Sequence, residues 1–425
     1  MRRFIVLYVL LIYNYFIGLN LFMKKYIISA KRSAIGKFLG SLYEQNIVDV
    51  STQLIKKGFD SKLLSDVEEV ILGNVYSSNL GQAVARTIAI KSGCGKENSV
   101  PAYSINEVCG SGMQAVINAC HEIEFGKNLV MAGGIEFMSN VPYATESYLR
   151  LGQKNGNFSM ADLMIKDGLV DNISKVHMGV TAENIAKKYN ISREKQDEYS
   201  WMSQHRTIDA IDTGKFKDEI VPLELKDYRN RPYLFDTDEF PNRESTKEKM
   251  SSLKPSFVKD GTGTLTPANT SGVNDGVSFL LIASEDYCKK NNIKPIVEIV
   301  DSSVIACDPQ LMGLGPYYAI KDLLTKTKID FKSIDYFEIN EAFAAQALGS
   351  FGLLEKEYSV DEKYITDRCN IYGSGLGLGH PLGCTGSRIV TTLSHIMNNN
   401  KCTYGIASLC IGGGMGAAVL LKKVG

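Results

Sequence analysis

The sequence predicts an α/β protein of more than one domain, and three observations carry that prediction. Short apolar runs with strand alternation take turns with stretches of helical periodicity. The chain has 425 residues, more than one ordinary core accommodates. A polar, charged, loop-rich segment from Val141 to Ser271 separates two stretches of α/β texture.

Taken in order, the run from Phe4 to Met23 carries no charge and lies between Arg2–Arg3 and Lys24–Lys25. It is long enough to span a bilayer or serve as a signal anchor, and no small-residue cleavage site follows it. The competing reading is a start placed too early, because Met23 opens a clean strand pattern, MKKYIISA. Residues 1–22 are therefore expected to be a targeting segment or a mis-start. Lys25 to Ala30, Val70 to Leu72 and Asn128 to Ala132 read as buried strands. Gly110 to Glu124 reads as a helix with Met113, Val116, Ile117 and Ala119 on one face. Within the polar segment, SREKQDEYSWMSQHR reads as an exposed helix and holds the single tryptophan, Trp201. The strand VEIVDSSVIA then resumes the α/β texture. It is followed by a helix near Ala319 to Leu324, the strand YFEIN, a helix from Glu341 to Leu348, and the strands TYGIASLC and GAAVLLKK. The two stretches resemble copies, with Cys109 before GSGMQAV matched to Cys410 before IGGGMGAAV.

Composition removes several function classes. Lys+Arg and Asp+Glu both number 47, so no nucleic-acid surface is expected to dominate. The nine cysteines are odd in number and form no C-x-x-C pair, which argues against a disulfide framework and a zinc site and suits a reducing compartment. Five histidines without an HExxH motif point to no catalytic metal. Gly412, Gly414 and Ala417 nominally fit a dinucleotide fingerprint, but too little chain follows for a βαβ unit.

Four residues carry candidate chemistry. Cys109, in NEVCGSGMQA, stands before a helix whose N-terminus favours the thiolate, and its glycines admit a close ligand; the competing reading is a buried structural cysteine. His380, in GSGLGLGHPLGCTG, is the candidate base, set by glycines on an exposed loop; alone it could equally cap a helix. Cys410 is a second cysteine ending a strand before a glycine turn. Asn340, in NEAFAAQA, is either an N-cap or a donor to a water or an oxyanion.

Together these motifs resemble the thiolase family, of the acetyl-CoA C-acetyltransferase type, from about Met23 to the C-terminus. NEVCGSGMQA, NEAFAAQA with GHPLGCTG, and CIGGGMG match its signature regions in order and separation; GGIEFMSNVPY, ANTSGVNDG and IISAKRSAIGKFLGSL add to them. The resemblance implies a five-layered αβαβα fold of two similar halves with an inserted loop domain. The halves are expected at 23–140, completed by 272–293, and at 294–425, with the CoA-binding loop domain at 141–271. It implies that Cys109 is the nucleophile, His380 its base and Cys410 the acid/base at the substrate α-carbon or leaving CoA. It also implies one oxyanion hole from Asn340, through a water, with His380, and a second from the backbone N–H groups of Cys109 and Gly412. His177, Met178, Arg243, Ser271 and Phe343 resemble CoA- and acyl-binding positions. Acetyl-CoA, acetoacetyl-CoA and CoA are the implied ligands, without a cofactor. A homodimer or homotetramer of cytoplasmic or mitochondrial location is implied, and the N-terminal run leaves membrane association open. The stretch MIKDGLVDNISKVHMG favours the short-chain members over the alternative, a degradative 3-ketoacyl-CoA thiolase of longer chain preference; a silent CoA-binding scaffold is the reading outside catalysis. A fatty-acid-type condensing enzyme would lack a second catalytic cysteine like Cys410. Two departures stand out: Gly373-Ser374-Gly375 replaces consecutive glycines, and Phe351 to Cys369 is long and expected to be a surface loop.

Overall fold

The computed structural model describes residues 23–425. The apolar run expected to be a targeting segment or a mis-start lies outside the described residues, save for Met23. β1 (Lys25–Arg32) leads to α1 (Ile47–Gly58), β2 (Glu69–Gly73), α2 (Val84–Ser92), β3 (Ala102–Ile105), α3 (Ser111–Glu124) and β4 (Leu129–Phe137). The segment that follows holds α4 (Met178–Lys188) and α5 (Arg193–Asp212), and β5 (Asn274–Ser284) returns to the sheet. A second series runs β6 (Val297–Ala306), α6 (Gly315–Thr327), β7 (Ile334–Ile339), α7 (Ala344–Tyr358), α8 (Leu382–Asn399), β8 (Tyr404–Ile411) and β9 (Met415–Lys423). Among the described residues no helix is long and apolar enough to cross a membrane.

The strands lie on one hydrogen-bonded path, β7-β8-β9-β6-β1-β5-β4-β2-β3. The two series meet where β1 and β6 pair briefly, from Lys25↔Ile299 to Ile27↔Val297. Each series follows one plan. In the first, β2 runs parallel to β3 and β4, and β5 is antiparallel to β4 and β1. In the second, β7 runs parallel to β8 and, through an isolated bridge, to Cys369, while β9 is antiparallel to β8 and β6. The irregularities also agree: β1 slips register between Ile27 and Ser29, and β6 between Ile299 and Asp301. Such bulges re-aim a strand and mark a shared design.

The copies expected from the sequence are present, but Cys109 and Cys410 are not counterparts. Cys109 stands between β3 and α3, and the same place in the second series, between Cys369 and α8, is held by His380. Cys410 lies near the end of β8, whose counterpart β4 ends at Glu136 and Phe137. Asn340 follows β7 as Asn74 follows β2. Glycine turns close both kinds of connection, which is why the short motif match misleads.

Alternate residues of the sheet feed different layers. Val70 and Leu72 join Leu54, Ile55 and Ile88 of α1 and α2 in one cluster. Ile71, between them, joins a central cluster with Met113 and Val116 of α3, Ile389 and Leu393 of α8, and Leu409 and Val419 from the second series. Phe337, Ile339, Ile406 and Leu420 meet Ile320, Leu323, Phe351 and Leu354 of α6 and α7 in a third. The order is thus helices, sheet, α3 with α8, sheet, helices: the five-layered αβαβα arrangement. α3 and α8 touch through glycine. A Cβ on Gly386 would collide with the backbone N of Met113, and one on Gly112 would stand 2.8 Å from the Gly383 carbonyl. Backbone-to-backbone contact brings the start of both helices, and so Cys109 and His380, to one place.

Three local expectations are corrected. α5 is a helix, yet its polar face is buried: Tyr199 Oη and Ser203 Oγ each donate to Glu341 at 2.6 Å. One side of the polar run supplies donors to a buried carboxylate, while Glu194, Lys195 and Glu198 on the other side face solvent. The glycine-rich approach to His380 is not an exposed loop. It is buried, with a short helical turn at Gly375–Leu378, and Cβ atoms at Gly373 and Gly377 would strike Thr207 of α5. Ser374 departs from glycine because its hydroxyl donates to Glu338 at 2.8 Å and accepts from Arg388 at 3.1 Å. Finally, Phe351 to Cys369 is no surface loop. α7 continues to Tyr358, a short helix covers Glu362–Thr366, and Phe351, Leu354, Ile365 and Cys369 are buried. Its last residue supplies the sheet bridge at Cys369.

Candidate active site

Between β3 and α3 the chain turns sharply. Val108 takes φ 47°, a left-handed conformation that a β-branched residue rarely adopts. Ser111 Oγ braces the turn, accepting from Glu107 N at 2.8 Å and donating to Val108 O at 2.7 Å. Cys109 Sγ is thereby set 3.3 Å from His380 Nε2. On the far side of the ring, Nδ1 is 2.6 Å from Thr385 Oγ1. Thr385 already donates its proton to Pro381 O at 2.9 Å, so its lone pair accepts from Nδ1–H. The tautomer follows: Nδ1 carries the proton and Nε2 turns a lone pair to the thiol. The His380 backbone N donates to Asn274 Oδ1 at 3.0 Å, and Asn274 Nδ2 donates to Gly36 O at 2.9 Å. Gly379 (φ 100°) brings the backbone so close to Asn274 that a Cβ would overlap its amide. Thr385 and Asn274 were not singled out from the sequence. Thr385 had one signal, a hydroxyl in the first turn of the helix that follows His380.

Burial pushes the Cys109 thiol up to about 12, and burial with the nearby Arg388 charge brings the His380 imidazole down to about 3. Both shifts run toward thiol and neutral imidazole at rest. The backbone N–H groups of Gly412 and of Cys109 itself do favour the thiolate, but desolvation outweighs them. At 3.3 Å, Nε2 is placed to take the thiol proton should the sulfur attack a carbon.

Asn340 is not an N-cap. Its backbone N donates to Ser408 O at 2.9 Å, which extends the sheet by one rung, and α7 starts only at Ala344. The Asn340 side chain instead lies against the His380 ring, with Nδ2 3.4 Å from Nδ1, and its Oδ1 is buried without a partner among the described residues. Cys410 is buried; desolvation, then Cys109 and Cys307 nearby, push its thiol well above the ordinary range. A buried thiol of that kind is a weak acid whose thiolate is a strong base.

Cys109, His380, Cys410 and Gly412 face one cavity of about 240 Å³. His177, Met178, Ser271 and Phe343 also line it. Ser271 N donates to Ala342 O at 3.0 Å, which docks the segment before β5 onto the segment before α7. His177 caps α4 by accepting from Gly179 N at 3.1 Å through Nδ1, and stacks on Phe257 at 4.8 Å. Because Nδ1 accepts, Nε2–H is the donor His177 offers the cavity, and burial lowers its pKa. Phe257 completes the wall, edge-on to Phe343 at 6.2 Å; it lies in the loop-rich segment, where no periodicity marks it. Arg243 is not brought to this cavity: it is exposed and pairs with Asp212 at 2.6 Å.

Two families match the chain: the thiolase N-terminal domain over residues 25–286 and the thiolase C-terminal domain over residues 293–423. The chain is 40% identical over 400 residues to the cytosolic acetyl-CoA acetyltransferase of Rattus norvegicus, covering 93% of this chain and 98% of that protein. It resembles the crystal structure of the Bacillus anthracis acetyl-CoA acetyltransferase at 39% identity and TM-score 0.87, covering 95% of this chain and 99% of that one. It resembles the human mitochondrial 3-ketoacyl-CoA thiolase in complex with CoA at 37% identity and TM-score 0.86, covering 95% and 98%.

Proposed function

The chain belongs to the thiolase family, and from that premise we propose that it is an acetyl-CoA C-acetyltransferase working through an acyl-Cys109 intermediate. The observation that carries this reading is the 3.3 Å contact between Cys109 Sγ and His380 Nε2 in a cavity that Cys410 also faces.

The residues suit the chemistry step by step. His380 Nε2 takes the Cys109 proton as sulfur attacks the thioester carbon of a first acetyl-CoA. Charge grows on the carbonyl oxygen, and the N–H groups of Cys109 and Gly412 meet it. Collapse breaks the carbon–sulfur bond to CoA; Cys410 protonates the leaving thiolate, and the acetyl group stays on Cys109. The Cys410 thiolate then removes an α-proton from a second acetyl-CoA. Asn340, through a water, and the protonated His380 hold the enolate oxygen. The enolate carbon attacks the acetyl-cysteine, acetoacetyl-CoA leaves, and His380 returns its proton to Cys109. Two acetyl-CoA give acetoacetyl-CoA and CoA, with every proton accounted for. His177, Met178, Ser271 and Phe343 would hold the pantetheine and acyl groups, with Arg243 reaching the nucleotide end from the surface. Among the described residues β3 ends the sheet with an unpaired edge, and pairing there suits the expected dimer or tetramer.

The test is thiolysis of acetoacetyl-CoA by CoA, beside a long-chain 3-ketoacyl-CoA, for the parent, Cys109→Ser and Cys410→Ser. Ping-pong turnover of the short substrate, lower by about 10⁴-fold or more in both variants, is expected. Preference for the long chain would move the protein to the degradative group. No turnover of either, with CoA still bound, would leave a scaffold.

A further inference from the structure

Glu136 lies between the two halves, fully buried, and no step above uses it. Every hydrogen bond it makes is an N–H arriving at oxygen. Oε1 accepts from Asn74 Nδ2 at 2.9 Å and Tyr76 N at 3.2 Å. Oε2 accepts from Val75 N at 3.0 Å and Gly383 N at 2.9 Å. Three of these donors belong to the turn after β2, in the first half. The fourth is in the first turn of α8, in the second half, three residues beyond His380. The space is closed: a Cβ on Gly383 would stand 2.7 Å from Glu136 Oε2 and 2.9 Å from Asn74 Cα.

From this we infer that Glu136 is a positioning residue, a carboxylate latch that holds the start of α8, and with it His380, at its distance from Cys109. The inference rests on the thiolase reading only for its turnover readout. Both oxygens face donors, an arrangement that suits an acceptor at both ends, as an ionised carboxylate is; burial raises the Glu136 carboxyl to about 7, against the opposing pull of the four N–H donors. Glutamine has the right size and the wrong chemistry. In either orientation its NH₂ would oppose two N–H groups, cancelling two hydrogen bonds and pushing those groups away. Set against Val75 and Gly383, that NH₂ would press α8 outward at its first turn. A displacement of about 1 Å between nucleophile and base costs on the order of 10²-fold in rate.

Other buried carboxylates do not share this position. Glu219 pairs with Arg32 at 2.6 Å and accepts from Thr392 at 3.2 Å, away from the cavity. It serves as the control for mere loss of a buried polar link.

The experiment compares the parent, Glu136→Gln, Asn74→Ala and Glu219→Gln in the full chain. It reads kcat and KM for acetoacetyl-CoA thiolysis, the iodoacetamide alkylation rate at Cys109 by peptide mass spectrometry, and Tm. Glu136→Gln is expected to lower kcat about 100-fold with KM within about twofold, and to slow Cys109 alkylation in step. Asn74→Ala, which keeps the carboxylate and removes one donor, is expected to do the same about fivefold to tenfold. Glu219→Gln is expected to lower Tm with little change in alkylation. Parent-like kcat and alkylation in folded Glu136→Gln would overturn the latch. If that variant does not fold, parent-like rates in Asn74→Ala would overturn it. Equal losses in Glu136→Gln and Glu219→Gln would also overturn it, by showing a stability effect alone. A parent that alkylates normally but turns over no thioester would sink the thiolase reading and leave the latch to be judged by alkylation.

Discussion

Thr385 and His380 show how much a single hydroxyl can decide. Because Thr385 gives its proton to Pro381 O, it can only accept from the ring, and Nε2 is left basic toward Cys109. Thr385→Val should lower kcat on the order of 10²-fold, within the range of general-base contributions, while Thr385→Ser retains most of it; steady-state kinetics separates the two. The same pair predicts pH behaviour. Burial holds the thiol up toward 12 and the imidazole down toward 3, which favours thiol and neutral imidazole over the ion pair at neutral pH. Alkylation of Cys109 should keep rising from pH 6 to pH 9, and a plateau beginning near pH 7 would contradict the geometry. The stability sign follows as well. The folded His380 binds its proton less readily than an ordinary histidine near 6.5, so the folded state holds fewer protons between pH 6.5 and 3. Its contribution is present above about 6.5 and is lost as pH falls toward 3. The urea midpoint should drop from pH 7 to pH 5, and drop less in His380→Gln.

At the scale of elements, the site depends on two helices meeting without side chains between them. Gly386→Ala places a methyl group against the backbone of Met113, and overpacking of that kind costs about 1–3 kcal/mol. The same methyl pushes α8 from α3, so kcat should fall further than the Tm change alone explains. Arg388, two residues later in α8, is anchored by Glu338 at 2.9 Å in a fully buried pair. Glu338→Gln leaves the guanidinium uncompensated and should cost about 3–5 kcal/mol by denaturant titration. Most elements were legible in the sequence because apolar periodicity reports burial directly. VEIVDSSVIA became β6 residue for residue. The polar face of α5 was not legible, since a hydroxyl that serves a buried carboxylate and one that serves water look alike in sequence. Asn340 was readable as either cap or site residue; only the extra rung to Ser408 O shows that it is not the cap. Cys109, His380 and Cys410 could be picked out because each pairs a reactive side chain with nearby glycine, whereas Phe257 has no glycine beside it, and Thr385 and Asn274 have glycine but no reactive group of their own.

For the whole molecule, the central layer belongs to neither half. Met113 and Val116 of α3 share their cluster with Ile389 and Leu393 of α8 and with strands of both series. A fragment ending after β5 would expose α3 and the inner face of β4. It should show no cooperative thermal transition, whereas the same fragment coexpressed with its complement should recover one. The duplication was glimpsed in the sequence through the wrong pair of residues, because sequence aligns glycine turns and only topology aligns positions. Properly aligned, the repeat has a further consequence. Two identical subunits placed about the same axis would carry the same side chain at both helix starts: two sulfurs, or two imidazoles, and never one of each. A nucleophile and its base are different by definition, so this geometry can be used only by a chain whose halves are free to differ. Joining the copies in one polypeptide breaks the equivalence of the two positions, and so lets one hold Cys109 and the other His380.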